Sequence, residues 1–369
     1  MDAQYDWIVV GAGIIGSLAA WRLAQQGFRV ALVEAGVPGE KATGAAAGIL
    51  SPLAEAEASG PLAQLMTLSL QRYPTMVAEL IEESGMDVQY HASGVLQLAV
   101  DDHGRERLLR RYAWQEAMGA LWLDDSEIRD VEPGLAGFAS AGIYSPSEGQ
   151  VHPPLLVRAA VRASLARGTH SWFGEPVRAL ITEGSRVIGV SLREQSLYAD
   201  GGVVIAAGAW SNLLTDLLHQ SLPIEPIRGQ VLSLTMDQGT LHHIVFHEHA
   251  YLVPKRDGRL IVGATEDAAG FDARVTAAGV SRLAEIMDFF GVSRHGFFLE
   301  RVWAGLRPKS ADGLPVLGGW PGIDGLYMAT GHFRNGVLLS AITADIVAGW
   351  ATGQPTPMNL TPFRPERFW

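Results

Sequence analysis

The sequence predicts an α/β fold in which a Rossmann-like nucleotide-binding domain with a parallel sheet is interleaved with a domain built on a mixed or antiparallel sheet. Two stretches carry this prediction. Ile8, Val9 and Val10 form an unbroken β-branched run, as expected for a strand buried on both faces, and a glycine-rich turn and a helical pattern follow it. From Pro223 to Leu260 the pattern changes to the apolar–polar alternation of antiparallel strands.

The first strand leads into a dinucleotide-binding signature. Gly11, Gly13 and Gly16 follow it at GxGxxG spacing, and residues 17–26 continue as a helix. The first glycine permits a tight turn, the second lets backbone N–H groups approach a pyrophosphate, and the third lets helix and strand pack closely. A second apolar strand ends at Glu34, whose carboxylate can accept both ribose hydroxyls of an adenosine and would repel a 2′-phosphate. The predicted ligand is therefore FAD or NAD.

Composition is typical of a compact globular enzyme. The 369 residues give room for two ordinary domains, and the net charge of −11 argues against nucleic acid as a partner. The absence of cysteine excludes disulfides, thiolate zinc sites, iron–sulfur clusters and a flavin tethered through cysteine. No apolar stretch reaches the roughly eighteen residues that span a bilayer, and no signal peptide precedes the glycine motif, so we expect a cytoplasmic protein.

The spacing of apolar residues predicts the remaining helices and strands. The predicted elements are helices over 62–84, 102–118, 154–167 and 336–350, and strands over 29–33, 91–100, 187–190 and 201–206. In the antiparallel region His247, His249 and Tyr251 alternate and are predicted to share one strand face. Two histidines at this spacing without a third ligand make a weak zinc signal, so no metal site is predicted.

Residues 41–52 form an unusual run of tiny side chains, KATGAAAGILSP. One interpretation is a flexible linker. The other, which we favour because the run follows the second strand and leads into apolar Ile49, is a backbone that lies against a flat ring system. A later strand ending in Ala207 and Gly208 also suits a backbone close to a dinucleotide, although a plain turn capped by Ser211 fits almost as well.

The stretch from Gly331 to Gly336, GHFRNG, opens an apolar helix and brings a second positive helix end to a glycine loop. Such an end can stabilise the negative charge that develops at the N1/C2 carbonyl of a flavin on reduction. NAD would not need this second unit. The feature therefore favours FAD over NAD.

Arg307 and Arg334 are the leading candidates for binding a substrate carboxylate, because a guanidinium presents a planar fork that pairs with a carboxylate at two points. Both lie in glycine-bearing loops near the expected ring, and Tyr251 would add a hydroxyl. The alternatives are surface ion pairs for the arginines and a half-buried sheet tyrosine for Tyr251. No Gly-x-Ser-x-Gly elbow occurs, and no residue is predicted to act as a general base or other catalytic group.

The chain resembles the D-amino-acid oxidase superfamily of flavoproteins over essentially its whole length, and within it the glycine oxidases. The resemblance rests on Gly11-Ala-Gly-Ile-Ile-Gly16, Glu34, Ala45-Ala-Ala-Gly-Ile49, Tyr251-Leu-Val-Pro254, Val262-Gly-Ala-Thr265, Trp303-Ala-Gly-Leu-Arg-Pro308 and Gly331-His-Phe-Arg-Asn-Gly336. Many flavoproteins share the first motif, whereas the last two and the alanine run are specific.

The resemblance implies FAD-dependent oxidative deamination of glycine, other small amines and D-amino acids. The expected products are the imine or 2-oxo acid, ammonia and hydrogen peroxide, formed by hydride transfer from the substrate Cα to flavin N5. It further implies a role in making the thiazole of thiamine, and a homo-oligomer, commonly a homotetramer. The FAD domain is expected to comprise 1–85, 150–222 and 300–369, and the substrate domain 86–149 and 223–299.

Residue pattern and resemblance together assign the ligand contacts. Non-covalent FAD would contact Gly11, Gly13, Ile14, Ile15, Gly16, Glu34, Ala35, Ala42, Thr43, Ala47, Gly48, Ile49, Val177, Ala207, Gly208, His332, Phe333, Arg334, Asn335, Gly336, Val337 and Leu338. Arg307 would hold the substrate carboxylate, assisted by Tyr251 and by the backbone near Arg334.

One position departs from the family pattern, because Glu266 follows Thr265 where glycine oxidases carry an apolar methionine. A carboxylate that enters the pocket would pair with the substrate ammonium or favour a cationic side chain. One that turns outward would leave specificity unchanged.

Three other functions are compatible with the sequence. A flavin dehydrogenase of the same fold would oxidise D-amino acids or sarcosine-like amines and pass electrons to a quinone instead of O2. A 2-hydroxy-acid oxidoreductase would use Arg307 equally well. A subunit that only binds FAD is disfavoured, because both Arg307 and Tyr251 are present.

Overall fold

The structure, a computed structural model, describes residues 3–135, 139–215, 221–236, 241–290 and 296–369. Numbered in chain order, its strands are β1 (Ala3–Val10), β2 (Val30–Glu34), β3 (Ile49–Leu50), β4 (Val95–Ala99), β5 (Leu121–Asp124), β6 (Ala141–Ser145), β7 (Gly149–Gln150), β8 (His170–Phe173), β9 (Ala179–Glu183), β10 (Arg186–Ser191), β11 (Ser196–Ile205), β12 (Ile224–Met236), β13 (Ile244–His247), β14 (Ala250–Pro254), β15 (Arg259–Gly263), β16 (Phe297–Ser310), β17 (Val316–Gly319) and β18 (Leu326–Thr330).

Helices connect and cover these strands. They are α1 (Ile14–Gln25), α2 (Ala42–Ala45), α3 (Pro52–Glu55), α4 (Pro61–Ser84), α5 (Asp102–Gln115), α6 (Asp125–Val131), α7 (Pro153–Ala166), α8 (Ser211–Thr215), α9 (Ala277–Phe289) and α10 (Gly336–Thr352). Among the described helices, none combines the length and apolar character needed to cross a membrane.

The first sheet is the predicted nucleotide-binding sheet. Its strand order is β17-β18-β11-β1-β2-β8, and β1 runs parallel to both β2 and β11. The antiparallel pair β9 and β10 extends it beside β11. One face carries α1, α4, α7 and α10, and α1 is buried along almost its whole length between the sheet and its neighbours. The parallel part of the predicted fold is confirmed.

One charged cluster lies within this helical layer. Asp345 interrupts the apolar sequence of α10, and its carboxylate pairs with Arg22 at 2.9 Å and with Arg72 at 2.7 Å. Arg22 also pairs with Glu79 of α4. The cluster ties α1, α4 and α10 together, which explains how a charged residue is accommodated in an otherwise apolar helix.

The second sheet has the order β16-β12-β15-β14-β13-β4-β6-β5. Its pairings are antiparallel except that of β13 with β4, so it is a mixed sheet as predicted. Helix α9 packs on β12 and β15, and α5 packs on β4 and β6. Together, the two sheets confirm the predicted α/β class.

The chain passes between the two sheets more than once. Strands of the first sheet come from 3–34, 170–205 and 316–330, and those of the second come from 95–145 and 224–310. Strand β16 crosses the expected domain limit at residue 300 and lies wholly in the second sheet. The domain limits themselves stay a prediction.

Most predicted elements are present within a few residues of their expected ends, but the single strand through His247, His249 and Tyr251 is wrong. A hairpin replaces it, with His247 at the end of β13 paired with Ala250 at the start of β14. The chain reverses at Glu248, whose φ of 51° lies in the left-handed region. Sequence reasoning missed the turn because neither turn residue is a glycine or asparagine.

Candidate active site

The glycine turn after β1 is tightly enclosed. Gly11 has a φ of 103°, and a Cβ atom built there would lie 2.5 Å from the carbonyl oxygen of Ala206. A Cβ atom at Gly16 would lie 1.8 Å from the carbonyl oxygen of Gly11. Gly13, the N-cap residue of α1, has no side chain that would keep a phosphate away from the helix N-terminus.

Glu34 closes this turn from the end of β2. Its Oε2 accepts a hydrogen bond from the Ala12 N–H at 2.8 Å, and its Oε1 accepts one from the Gly36 N–H at 2.8 Å. Thr43 contributes a third fixed contact, because its Oγ1 accepts the Ile14 N–H at 3.0 Å. The carboxylate is therefore held at the cleft wall where the ribose of a dinucleotide is expected.

The run of tiny residues is an ordered wall of the cleft and not a flexible linker. Gly48 has a φ of 87°, and a Cβ there would lie 2.0 Å from the Val151 carbonyl oxygen. The Nζ of half-buried Lys255 donates to the Ala47 carbonyl oxygen at 2.5 Å and to Gln150 Oε1 at 2.8 Å. Burial lowers the pKa of Lys255 to about 7, so the charge of this amine changes near neutral pH.

The N-terminus of α10 forms the opposite wall. A short 3₁₀ turn, Phe333–Asn335, leads into α10, and its first turn carries no acidic side chain that would offset the helix dipole. His332 is buried, and its Nε2 lies 3.1 Å from Thr343 Oγ1. Burial lowers the pKa of His332 to about 3, so the imidazole is neutral at physiological pH.

These walls enclose one continuous cleft of about 1880 Å³ between the two sheets. That volume exceeds a drug-sized pocket and leaves room for a dinucleotide together with a small substrate. All but two of the predicted cofactor residues, each within the described part of the chain, line it. The exceptions are Gly16, which packs α1 on β1, and Leu338, whose side chain belongs to the apolar core.

Arg307 and Tyr251 meet beside α10 at one end of the cleft. Arg307 lies inside β16 and not in the predicted glycine-bearing loop, and its Nη1 donates to the Thr265 carbonyl oxygen at 3.1 Å. Tyr251 lies on β14, and burial raises the pKa of its phenol while the guanidiniums of Arg307 and Arg334 oppose that effect. The hydroxyl stays protonated at neutral pH and can donate to an anion held by Arg307.

Two strand glycines make space for this pair. A Cβ at Gly229 would lie 2.3 to 2.5 Å from the terminal atoms of the Arg307 guanidinium. A Cβ at Gly263, which is paired directly with Tyr251, would lie 2.5 to 2.6 Å from the end of the tyrosine ring. Arg307 and Tyr251 therefore lie flat across a neighbouring strand at a glycine, where a larger residue would require their side chains to move.

A third strand glycine lets β16 pack against the run of tiny residues. Gly305 precedes Arg307 by two residues on β16, and a Cβ atom there would lie 2.5 Å from the Cβ of Ala45. Trp303, on the same strand, donates from Nε1 to the Ala45 carbonyl oxygen at 3.3 Å. The strand that carries Arg307 thus rests directly on the wall expected to contact the cofactor.

Arg334 is already paired in this structure. Its Nε lies 3.1 Å from Glu55 Oε2, and its Nη1 lies 3.0 Å from His249 Nδ1 and 3.9 Å from Glu266 Oε2. Burial opposes the charge of Arg334, but the acidic groups around it, Glu55 foremost and then Tyr251 and Glu266, together raise the pKa of the guanidinium. Arg307 is consequently better placed than Arg334 to hold a substrate carboxylate.

Sequence reasoning missed Glu55. It ends α3, a single helical turn that Ser51 caps through the Ala54 N–H. Arg111 holds the end of this turn, because its Nη2 donates to the carbonyl oxygens of Leu53, Ala54 and Ala56 at 2.7 to 2.9 Å. The Ser51-Pro52 pair signals a helix start, but only the fold brings this turn opposite Arg334.

Glu148 fixes the other end of α3. Its Oε2 accepts from the Ser51 hydroxyl at 2.6 Å and its Oε1 accepts from the Leu53 N–H at 2.6 Å. Burial raises the pKa of Glu148 to about 7, against the opposing effects of these hydrogen bonds and of Arg111. The folded protein therefore binds a proton here at pH values where the unfolded chain has released it.

This proton makes stability depend on pH. Because the folded pKa exceeds the unfolded one, the contribution of protonated Glu148 is complete below about pH 4.5 and is lost as the pH rises through about 7. As the pH rises from 5 to 8, we expect the free energy of unfolding of Glu148→Gln to increase by about 2–3 kcal/mol relative to that of wild type. Urea unfolding of both proteins at the two pH values measures it, and a pH-independent difference would contradict the assignment.

Comparison with known proteins agrees with this geometry. Residues 6–350 match the model of the DAO family, described as FAD dependent oxidoreductase. A glycine oxidase from Geobacillus kaustophilus is 34% identical over 98% of this chain and 97% of its own, and a bifunctional protein ThiO/ThiG from Synechocystis is 33% identical over 100% of this chain and 55% of its own. The crystal structure of the Geobacillus kaustophilus enzyme superposes with a TM-score of 0.92 at 33% identity, covering 98% of each chain. The chain therefore belongs to the DAO family of FAD-dependent oxidoreductases.

Proposed function

We propose that this enzyme oxidatively deaminates glycine and other small amines or D-amino acids, giving the imine or 2-oxo acid, ammonia and hydrogen peroxide. The observation that carries the proposal is the Arg307 guanidinium beside the Tyr251 hydroxyl, at the end of the cleft next to α10. This pair suits a substrate with a free carboxylate. Similarity to glycine oxidases and to ThiO/ThiG supports the amine substrate and a role in forming the thiazole of thiamine.

The protein's part in the reaction is to position the substrate. Arg307 would hold the carboxylate at two points and Tyr251 would donate to one of its oxygens, which would fix the orientation of the substrate Cα–H bond. FAD, when bound, would supply the hydride acceptor. The amine must be neutral at transfer, and water hydrolyses the imine afterwards. Since positioning accounts for the step, we assign no general base.

The FAD contacts follow the walls of the cleft. We propose that Glu34 accepts the ribose hydroxyls, that the turn after β1 holds the pyrophosphate, and that the 41–49 run and the start of α10 flank the ring. Val177 lines the cleft beside Glu34 at the proposed adenosine end. The helix N-terminus of α10 would stabilise negative charge on the reduced ring.

Glu34→Ala is expected to weaken FAD binding by about tenfold, because a charge-assisted contact to the ribose and the supports of Ala12 and Gly36 are lost together. Fluorescence titration of the apoprotein with FAD gives the dissociation constant. Glu183→Ala is the matched control, since Glu183 likewise ends a strand of the first sheet, β9, but is exposed and does not line the cleft of the described chain. An unchanged dissociation constant in the Glu34 variant would show that Glu34 does not bind the ribose of FAD.

Anaerobic titration of the holoenzyme with glycine tests the proposed activity directly. Bleaching of the two-banded flavin spectrum is expected, followed by recovery and hydrogen peroxide formation when oxygen is admitted. If glycine bleaches the flavin and its spectrum recovers only when a quinone is added, the enzyme is a dehydrogenase and not an oxidase. Bleaching by glycolate and not by glycine would replace amine oxidation by 2-hydroxy-acid oxidation.

A further inference from the structure

The substrate end of the cleft holds an uneven distribution of carboxylates. Glu55 forms a close pair with Arg334, and its side chain is 12% exposed. Glu266 approaches the same guanidinium only to 3.9 Å, and its side chain is 43% exposed. Arg334 thus faces two carboxylates, and only that of Glu55 is at hydrogen-bond distance. Glu266 is therefore paired more weakly with Arg334 than Glu55 is.

Glu266 is adjacent to the proposed carboxylate anchor. The carbonyl oxygen that Arg307 contacts belongs to Thr265, the residue directly before Glu266, and both Arg307 and Glu266 line the cleft. A substrate held through its carboxylate on Arg307 consequently has the Glu266 carboxylate in its immediate surroundings.

Binding of a substrate carboxylate leaves Glu266 without a close cationic partner. The carboxylate would pair with Arg307, and Arg334 is held by Glu55 at 3.1 Å, whereas it approaches Glu266 only to 3.9 Å. The reacting amine cannot supply the counter-charge, because protonation removes the lone pair that hydride transfer requires.

We propose that Glu266 makes this site select amino acids that carry a second cationic group beyond the reacting amine, such as diamino acids. This inference rests on the proposed function, since it assumes amine oxidation with the substrate carboxylate on Arg307. A terminal ammonium can pair with the half-exposed Glu266 carboxylate while the reacting amine stays neutral. Pairing of opposite charges in a partly exposed cleft discriminates between substrates through a direct attraction.

The test compares D-ornithine with D-norvaline, which has the same carbon chain without the terminal ammonium. We expect kcat/KM of the holoenzyme to favour D-ornithine by about fivefold or more. Glu266→Gln, which keeps the size of the side chain, is expected to bring that ratio close to one. Equal rates in the wild type, or an unchanged ratio in Glu266→Gln, would overturn the inference.

Two further variants separate a local effect from a general one. Glu248→Gln is the matched control, because its carboxylate also lies at the cleft but is paired with Arg107 at 3.1 Å, and it should retain the preference for D-ornithine. Glu266→Lys should prefer D-glutamate to D-norvaline. Loss of the preference in Glu248→Gln, or no preference for D-glutamate in Glu266→Lys, would count against a specific contact at Glu266.

The activity of the wild type on glycine distinguishes this inference from the proposed function. If glycine bleaches the flavin and D-ornithine has no advantage over D-norvaline, amine oxidation stands and the role of Glu266 is refuted. If no amino acid bleaches the flavin, the proposed function fails and the inference fails with it.

Discussion

Replacing Arg307 with alanine is expected to lower kcat/KM for glycine by about two to three orders of magnitude, because the carboxylate loses a two-point, partly buried contact. FAD content should stay at the wild-type level, since Arg307 is assigned to the substrate and not to the cofactor. Steady-state kinetics together with the flavin absorbance per protein measure both effects.

Arg301→Ala is the matched control for this experiment. Arg301 lies six residues earlier on the same strand, with its guanidinium 5.3 Å from the Trp303 ring, and it does not belong to the cleft lining of the described chain. Its removal should leave kcat/KM within about twofold. Normal kinetics in Arg307→Ala would show that the carboxylate anchor lies elsewhere.

The second large effect is expected at a cleft-lining glycine, which has no side chain to bind a substrate. In Gly229→Ala the new methyl group would occupy the position of the Arg307 guanidinium, which lies 2.3 to 2.5 Å from it. The flexible end of the arginine can move away, so the loss of stability should be small. A displaced anchor should nevertheless lower kcat/KM by about tenfold to a hundredfold, because positioning errors near 1 Å are costly to catalysis.

Gly319→Ala provides the comparison, because Gly319 is a strand glycine whose Cβ would meet only ordinary contact, with the Leu326 carbonyl oxygen at 3.8 Å. Thermal denaturation and kinetics should both be close to wild type in that variant. If Gly229→Ala loses stability in proportion to activity, Gly229 acts through the sheet and not through Arg307.

The predictable parts of the fold are those in which local sequence and tertiary structure require the same residues. The first strand, its three glycines and Glu34 could be predicted because each has a steric or hydrogen-bonding role within one βαβ unit. The hairpin after His247 could not be predicted, because Glu248 adopts a left-handed conformation that is rare for glutamate.

The candidate site, like the fold, was predictable only where local sequence is informative. Arg307 and Tyr251, whose roles stay predictions, could be proposed from side-chain chemistry, and the structure brings them together. Glu55 could not, because only the fold brings α3 opposite Arg334. The roles of Gly229 and Gly263 depend on strand register, which sequence alone does not determine. Leu338 shows the converse case, because it follows the glycine loop in sequence but its side chain enters the core.

The contact between Gly305 and Ala45 has a consequence for how this enzyme can acquire new substrates. Because the strand bearing Arg307 rests on the wall expected to contact the cofactor, a larger residue at Gly305 or Ala45 would disturb the proposed anchor and the proposed ring site together. Substrate range is therefore easiest to alter from outside this interface. Glu266, half exposed on the loop after β15, offers such a position, so a library for engineering specificity should vary it while β16 and the alanine run stay fixed.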